Sequence, residues 1–134
     1  MRALKRAVRR PARVEYLLPQ GSGSARWARH LTHDFLAGRS AGGAHDAVLV
    51  VSELVANAAR IKGSHCRMSL CLDADELTVS VHDDSPHHPR LKPASLSAES
   101  GRGISLVDAL SRRMSVVSDP YGGKTVRAVL AHRS

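Results

Sequence analysis

The sequence predicts an α+β fold: a two-layer sandwich in which a mixed, mostly antiparallel sheet carries helices on one face. Three observations carry this expectation. Apolar residues recur with a 3.6-residue period over 24–38 and again over 47–61, marking two consecutive amphipathic helices. Residues 66–72 and 76–83 read as two strands around the short polar turn Asp73-Ala74-Asp75, an antiparallel hairpin. Two more strands, 114–118 and 125–131, lie close together late in the chain and favour antiparallel pairing.

The first strand is expected over 14–18, a short run with β-branched and aromatic residues that stops at Pro19-Gln20-Gly21. Ser24 precedes the first helix, in which Trp27, Leu31 and Phe35 recur every four residues until Gly38. Gly42-Gly43 separates it from the second. There Ala47, Val50, Val51, Leu54, Ala58 and Ile61 keep the period as far as Gly63, making it the more apolar and deeper helix. In the hairpin, Leu77, Val79, Val81 and Asp83 share the core side and Thr78, Ser80 and His82 the other, so an aspartate continues an apolar row. Residues 84–100, with Pro86, Pro89 and Pro93, have no useful period and read as a long loop of the kind that often forms a functional lid. Gly101-Arg102-Gly103 then opens a helix with Ile104, Val107 and Leu110 at helical spacing, closing on Arg112-Arg113.

A chain of 134 residues, 43% apolar, is enough for one core and excludes a multidomain machine. Lys and Arg exceed Asp and Glu by 20 to 12, yet six of the cations lie in the first 13 residues, which hold no acid; of the net +8, only +2 remains for the rest. The charge therefore describes a basic arm, 1–13, expected to be disordered ahead of a single domain over 14–134. The arm has no interleaved aromatic residues for base stacking, which argues against direct nucleic-acid binding. No apolar run approaches the roughly 18 residues of a membrane span, and no apolar segment of secretory type follows the basic start. The expected location is the cytoplasm. Cys66 and Cys71 sit five apart on one strand and point to opposite faces, so they cannot bridge each other. The pair His87-His88 reads as solvated loop rather than as metal ligands.

Three constellations could carry chemistry. Glu53 and Asn57 stand four apart and share one face of the second helix. Together they form either an exposed polar face or a site in which the Asn oxygen holds hydrated Mg²⁺ while the carboxylate orients or deprotonates a nucleophile. Gly101-x-Gly103 marks either a plain helix start or a place where free backbone N–H groups receive phosphate. Gly123-Lys124-Thr125 is not a Walker A motif. Ser118 stands where that motif needs glycine, and Val126, Ala128 and Leu130 alternate onward as a strand instead of opening a helix.

In this order and spacing the pieces resemble the histidine-kinase-like (GHKL, Bergerat-fold) ATPase superfamily, and within it the small bacterial anti-sigma-factor serine/threonine protein kinases. The resemblance spans about residues 14–131. It rests on Glu53-Leu54-Val55-Ala56-Asn57-Ala58, Asp83-Asp84-Ser85-Pro86-His87, Gly101-Arg102-Gly103-Ile104-Ser105-Leu106-Val107 and Gly123-Lys124-Thr125, against that family's acid–asparagine, aspartate–glycine, double-glycine and Gly-Lys-Thr boxes.

The resemblance implies ATP and Mg²⁺ as ligands and a role for each matched residue. Asn57 would bind the metal and Glu53 would act as general base toward a serine hydroxyl. Gly101 and Gly103 would meet phosphate through their amides, and Arg102 would neutralise phosphate charge. Asp83 would accept from the adenine amino group, and Thr125 would assist there. Guanine presents an oxygen at that atom, so Asp83 would also select ATP over GTP. The implied partners are a sigma factor and an anti-sigma antagonist, and members of the family commonly form homodimers. One departure matters: Ser85 and His87 replace both glycines of the second box. That departure motivates the alternative of a non-enzymatic interaction module that has lost productive ATP use.

Overall fold

The computed structural model describes residues 11–39, 44–60, 65–85 and 99–132. Along the chain these form β1 (Ala12–Leu18), α1 (Ser24–Leu36), α2 (His45–Ala59), β2 (Cys66–Asp73), β3 (Glu76–Asp83), α3 (Glu99–Leu110), β4 (Arg113–Ser118) and β5 (Lys124–Ala131). Five strands make one sheet in the order β1-β2-β3-β5-β4. The result is the α+β sandwich expected from the sequence, except that all four ladders are antiparallel and none is mixed. The connections explain this. Two helices between β1 and β2 return the chain antiparallel, whereas the single crossover through α3 sets β4 parallel to β3, and β5 then inserts between them antiparallel to both.

The helices cover one side of the sheet. Helix α2 lies across β2, β3 and β5, flanked by α1 and α3. The core fills the space between the layers: Val50, Val51, Leu54 and Val55 of α2 meet Met68, Leu70, Leu77, Val79 and Val81 of the hairpin, each at most 2% exposed. Truncating one of these, such as Leu54→Ala, removes transfer energy and leaves a cavity, at about 2–5 kcal/mol. The apolar period read in α2 is thus the buried face as far as Ala58; Ile61 and Gly63 lie outside the described residues.

Helix α1 departs from its expectation. Phe35 is buried but Trp27 is 58% exposed, and the inward residues are Ser24, Ala28, Thr32, Phe35 and Leu36. A repeat of four advances about 40° per step relative to the 3.6-residue turn, so Trp27 has rotated off the face that Phe35 occupies. The hydroxyl of Thr32 is buried without cost because it donates to Ala28 O at 2.7 Å. At the other end, Gly38 takes φ +77°, the left-handed conformation that terminates a helix with least strain in glycine.

Helix α3 begins at Glu99, two residues before Gly101, and stops at Leu110. Arg112 and Arg113 do not cap it. They turn into β4, where Arg112 N–H donates to Val129 O at 2.7 Å and both guanidinium groups hold the Glu76 carboxylate, at 2.9 and 3.2 Å. Most of the loop expected over 84–100, including His87-His88, and the arm over residues 1–10 lie outside the described residues; β1 starts at Ala12, so Arg13 belongs to the sheet.

Candidate functional site

Glu53 and Asn57 stand one turn apart on α2, both half-buried, on the flank that faces α3. Neither has a hydrogen-bond or ion-pair partner among the described residues. The Glu53 side chain lies directly against the backbone of α3, for a Cβ added at Gly103 would collide with Glu53 Oε2 and stand 3.3 Å from its Cδ. Glycine at 103 thus lets the acid–asparagine face and the helix start come together. In the first turn of α3, the backbone N–H groups of residues 99–101 have no partner within the helix. Gly101 is the last of these, while Gly103 lies two residues further on. The side chain of Arg102 lies outside the described residues.

Asp83 points inward at the end of β3, 3% exposed, as the strand alternation predicts. Both of its oxygens are engaged. Directly across the ladder, Lys124 Nζ donates to Oδ1 and Oδ2 at 2.9 Å each, and Ser85 N–H donates to Oδ1 at 2.8 Å. The two charged side chains are each only 4% exposed, so this is a buried ion pair whose attraction offsets a large desolvation cost. Nearby, burial first and the Asp83 charge second push the Cys66 thiol up to about 11, which keeps it protonated and unreactive at neutral pH. Gly123 brings β5 into place. Its φ is +87°, and a Cβ there would strike the Asp83 carbonyl oxygen.

Thr125 lies on the other side of the sheet. It sits opposite His82 in the ladder, and His82 Nδ1 is 3.2 Å from its hydroxyl and 3.1 Å from Asp119 Oδ2. Asp84 also lies away from Asp83. It is half-exposed, accepts from His65 N–H at 2.8 Å and stands 3.1 Å from the His65 ring. These contacts hold the Asp84 carboxyl below the ordinary carboxylate range, the backbone donor first and the His65 ring second.

The structure therefore brings Glu53 against Gly103 between α2 and α3, with Asn57 one turn along α2. It places Asp83 on the same, helix-covered side of the sheet and Thr125 on the opposite one. Lys124 was missed in the sequence as a residue of this site. The signal was present: Val126, Ala128 and Leu130 face inward, and stepping back by two puts Lys124 inward and Thr125 outward. A concavity of about 960 Å³ lies on the open face, remote from Glu53 and Asn57, and is not this site.

The donor set between α2 and α3 suits a hydrated divalent cation with phosphate. An amide oxygen and a carboxylate without other partners are hard oxygen ligands, and helix N–H groups accept anionic oxygens. The adenine end fits less simply, because Lys124 already occupies the Asp83 carboxylate. Among the described residues no group of three His, Cys, Asp or Glu side chains could hold a metal by itself, so a cation here would depend on phosphate oxygens and water as well. No helix in the described residues is long and apolar enough to cross a membrane.

Comparison with known proteins agrees with this geometry. No curated protein matches the sequence. A family model described as the histidine kinase-like ATPase domain matches residues 18–130, from the last residue of β1 to the penultimate residue of β5. With that span covering both the α2 acid–asparagine face and the glycine-bearing start of α3, the chain belongs to the histidine kinase-like ATPase domain family.

Proposed function

We propose that the chain is an ATP-binding regulatory protein that sequesters a sigma factor and transfers phosphate to a serine of the antagonist that competes for it. The observation that carries this reading is the packing of Glu53 against Gly103 with Asn57 one turn away. In this arrangement Asn57 would hold Mg²⁺ beside the phosphates, and the free N–H groups of α3 would receive phosphate oxygen. Glu53 would accept the proton of the serine hydroxyl as it attacks, a step for which positioned general bases contribute about 10²–10⁴ in rate. Bound Mg-ATP supplies the transferable phosphoryl group and the metal charge that offsets its oxygens. Membership of the family supports nucleotide binding; the sigma factor and the antagonist rest on the resemblance of the motifs. Calorimetric titration with Mg-ATP, followed by incubation with candidate antagonist proteins and radiolabelled ATP, tests the two halves in turn.

A second reading has its own support. Both oxygens of Asp83 are already committed, and Ser85 stands where the family has glycine. Those facts favour an interaction module that keeps the fold without productive ATP use. Absence of binding heat with Mg-ATP would select it.

A further inference from the structure

The helices leave the second face of the sheet uncovered, and its register places unusual chemistry there. One row runs across all five strands as Glu15, Ser69, Ser80, Arg127 and Ser115. The next carries Arg13 on β1 and Arg113 on β4 at its two ends, with Cys71, Thr78 and Val129 between. Arg67 stands in the row on the other side, next to His82. Short side chains thus form a concave floor of about 960 Å³ rimmed by arginines. Across these rows stand four arginines and one carboxylate, Glu15, which bridges Arg67 at 3.5 Å and Arg13 at 3.8 Å, while Glu76 of the neighbouring row holds Arg113 at 3.2 Å. Arg127 is exposed in the middle of β5 and has no ion-pair partner among the described residues.

We propose that this open face is a docking surface for an acidic segment of a protein partner, separate from the nucleotide site on the helix side. Charge complementarity selects the occupant. A second copy would set four arginines against four arginines, and the chain's own arm, with five cations in residues 1–10, would be repelled in the same way. No Phe, Tyr or Trp stands in the three rows, so stacked bases of a single strand have no platform. Arginine forks match carboxylates in pairs, and the floor of Ser69, Ser80 and Thr78 offers neutral donors to a peptide lying in the trough.

The probe is a fluorescent poly-glutamate peptide titrated into the full chain, with anisotropy as the readout and melting temperature as a folding check. Binding should saturate, weaken with added salt, and weaken by roughly tenfold or more in Arg127→Glu and Arg67→Glu, since each loses a charge-assisted contact. Arg26→Glu, on the exposed side of α1, makes the same charge change elsewhere and should leave affinity within about twofold. Should Arg127→Glu melt early, Arg127→Gln removes the charge with less disturbance and should still weaken binding. The proposal is overturned if the face variants bind like wild type while a chain with the five cations of residues 1–10 changed to Gln does not. It is equally overturned if Arg127→Glu converts a dimer into monomer without changing peptide affinity, or if duplex DNA displaces the peptide at lower charge concentration.

Discussion

Lys124 Nζ donates to both carboxylate oxygens of Asp83 at 2.9 Å, across a directly opposed pair of the β3–β5 ladder. Neither side chain is more than 4% exposed. The pair ties the end of β3 to the start of β5 where the sequence alone suggests an acceptor open to a ligand.

Removing only the cation should therefore be costly. Lys124→Met leaves an uncompensated buried carboxylate and should lower unfolding free energy by about 3–5 kcal/mol. Asp83→Asn with Lys124→Met should recover most of that loss, because no charge is then stranded. Chemical denaturation of the two single variants and the double variant measures the coupling; additive losses would mean that the pair does not form.

Gly103 offers a sharper test of the contact between α2 and α3. In a helix, Gly→Ala normally stabilises by about 0.5–1 kcal/mol. Here the new Cβ meets the Glu53 carboxylate, so Gly103→Ala should fail to stabilise and should displace Glu53. In a Glu53→Ala background the same substitution should regain its normal benefit. Thermal melts of all four proteins report the difference.

Binding and chemistry should separate along α2. Asn57→Ala should weaken Mg-ATP affinity by roughly tenfold or more, the loss of about 1.4 kcal/mol. Glu53→Gln should keep most of the affinity and reduce phosphoryl transfer by about 10²–10⁴. Equal Mg-ATP affinity in wild type and Asn57→Ala would remove the metal assignment.

Stability should also respond to pH through His132. Its ring is buried, its Nε2 has no partner among the described residues, and burial holds the imidazole below its ordinary value of 6.5. The unfolded chain therefore binds the proton more readily than the folded one, so this contribution is complete above pH 6.5 and is lost as pH falls below it. Replacing the ring by an apolar side chain, His132→Leu, should flatten the slope of unfolding free energy over that window. An unchanged slope would assign the dependence to other histidines.

Much of the layer architecture was legible because it follows from periodicity. The alternation through Leu77, Val79, Val81 and Asp83 fixed the inward direction of the aspartate, whereas the turn proved one residue shorter than read, since Asp73 pairs with Glu76. What was not legible depends on elements distant in sequence. Asp83 and Lys124 are 41 residues apart, and they meet only because β5 inserts between β3 and β4. Glu53 and Gly103 likewise touch only after α3 packs on α2. Thr125 was assigned to the adenine by its place in a motif, whereas the strand's two-residue period puts it on the open face beside His82. Trp27 shows the same lesson in a helix, where a repeat of four tracks the buried face for only a turn or two.

The central claim is that the helix-covered side of the sheet is an adenine nucleotide site, and paired calorimetric titrations with Mg-ATP and Mg-GTP test it most directly. The account predicts saturable binding of Mg-ATP and weaker binding of Mg-GTP, with Asp83→Asn losing about 1–3 kcal/mol of the ATP affinity and Asp84→Asn almost none. Equal affinity for the two nucleotides, or loss of ATP in Asp84→Asn but not in Asp83→Asn, would contradict it.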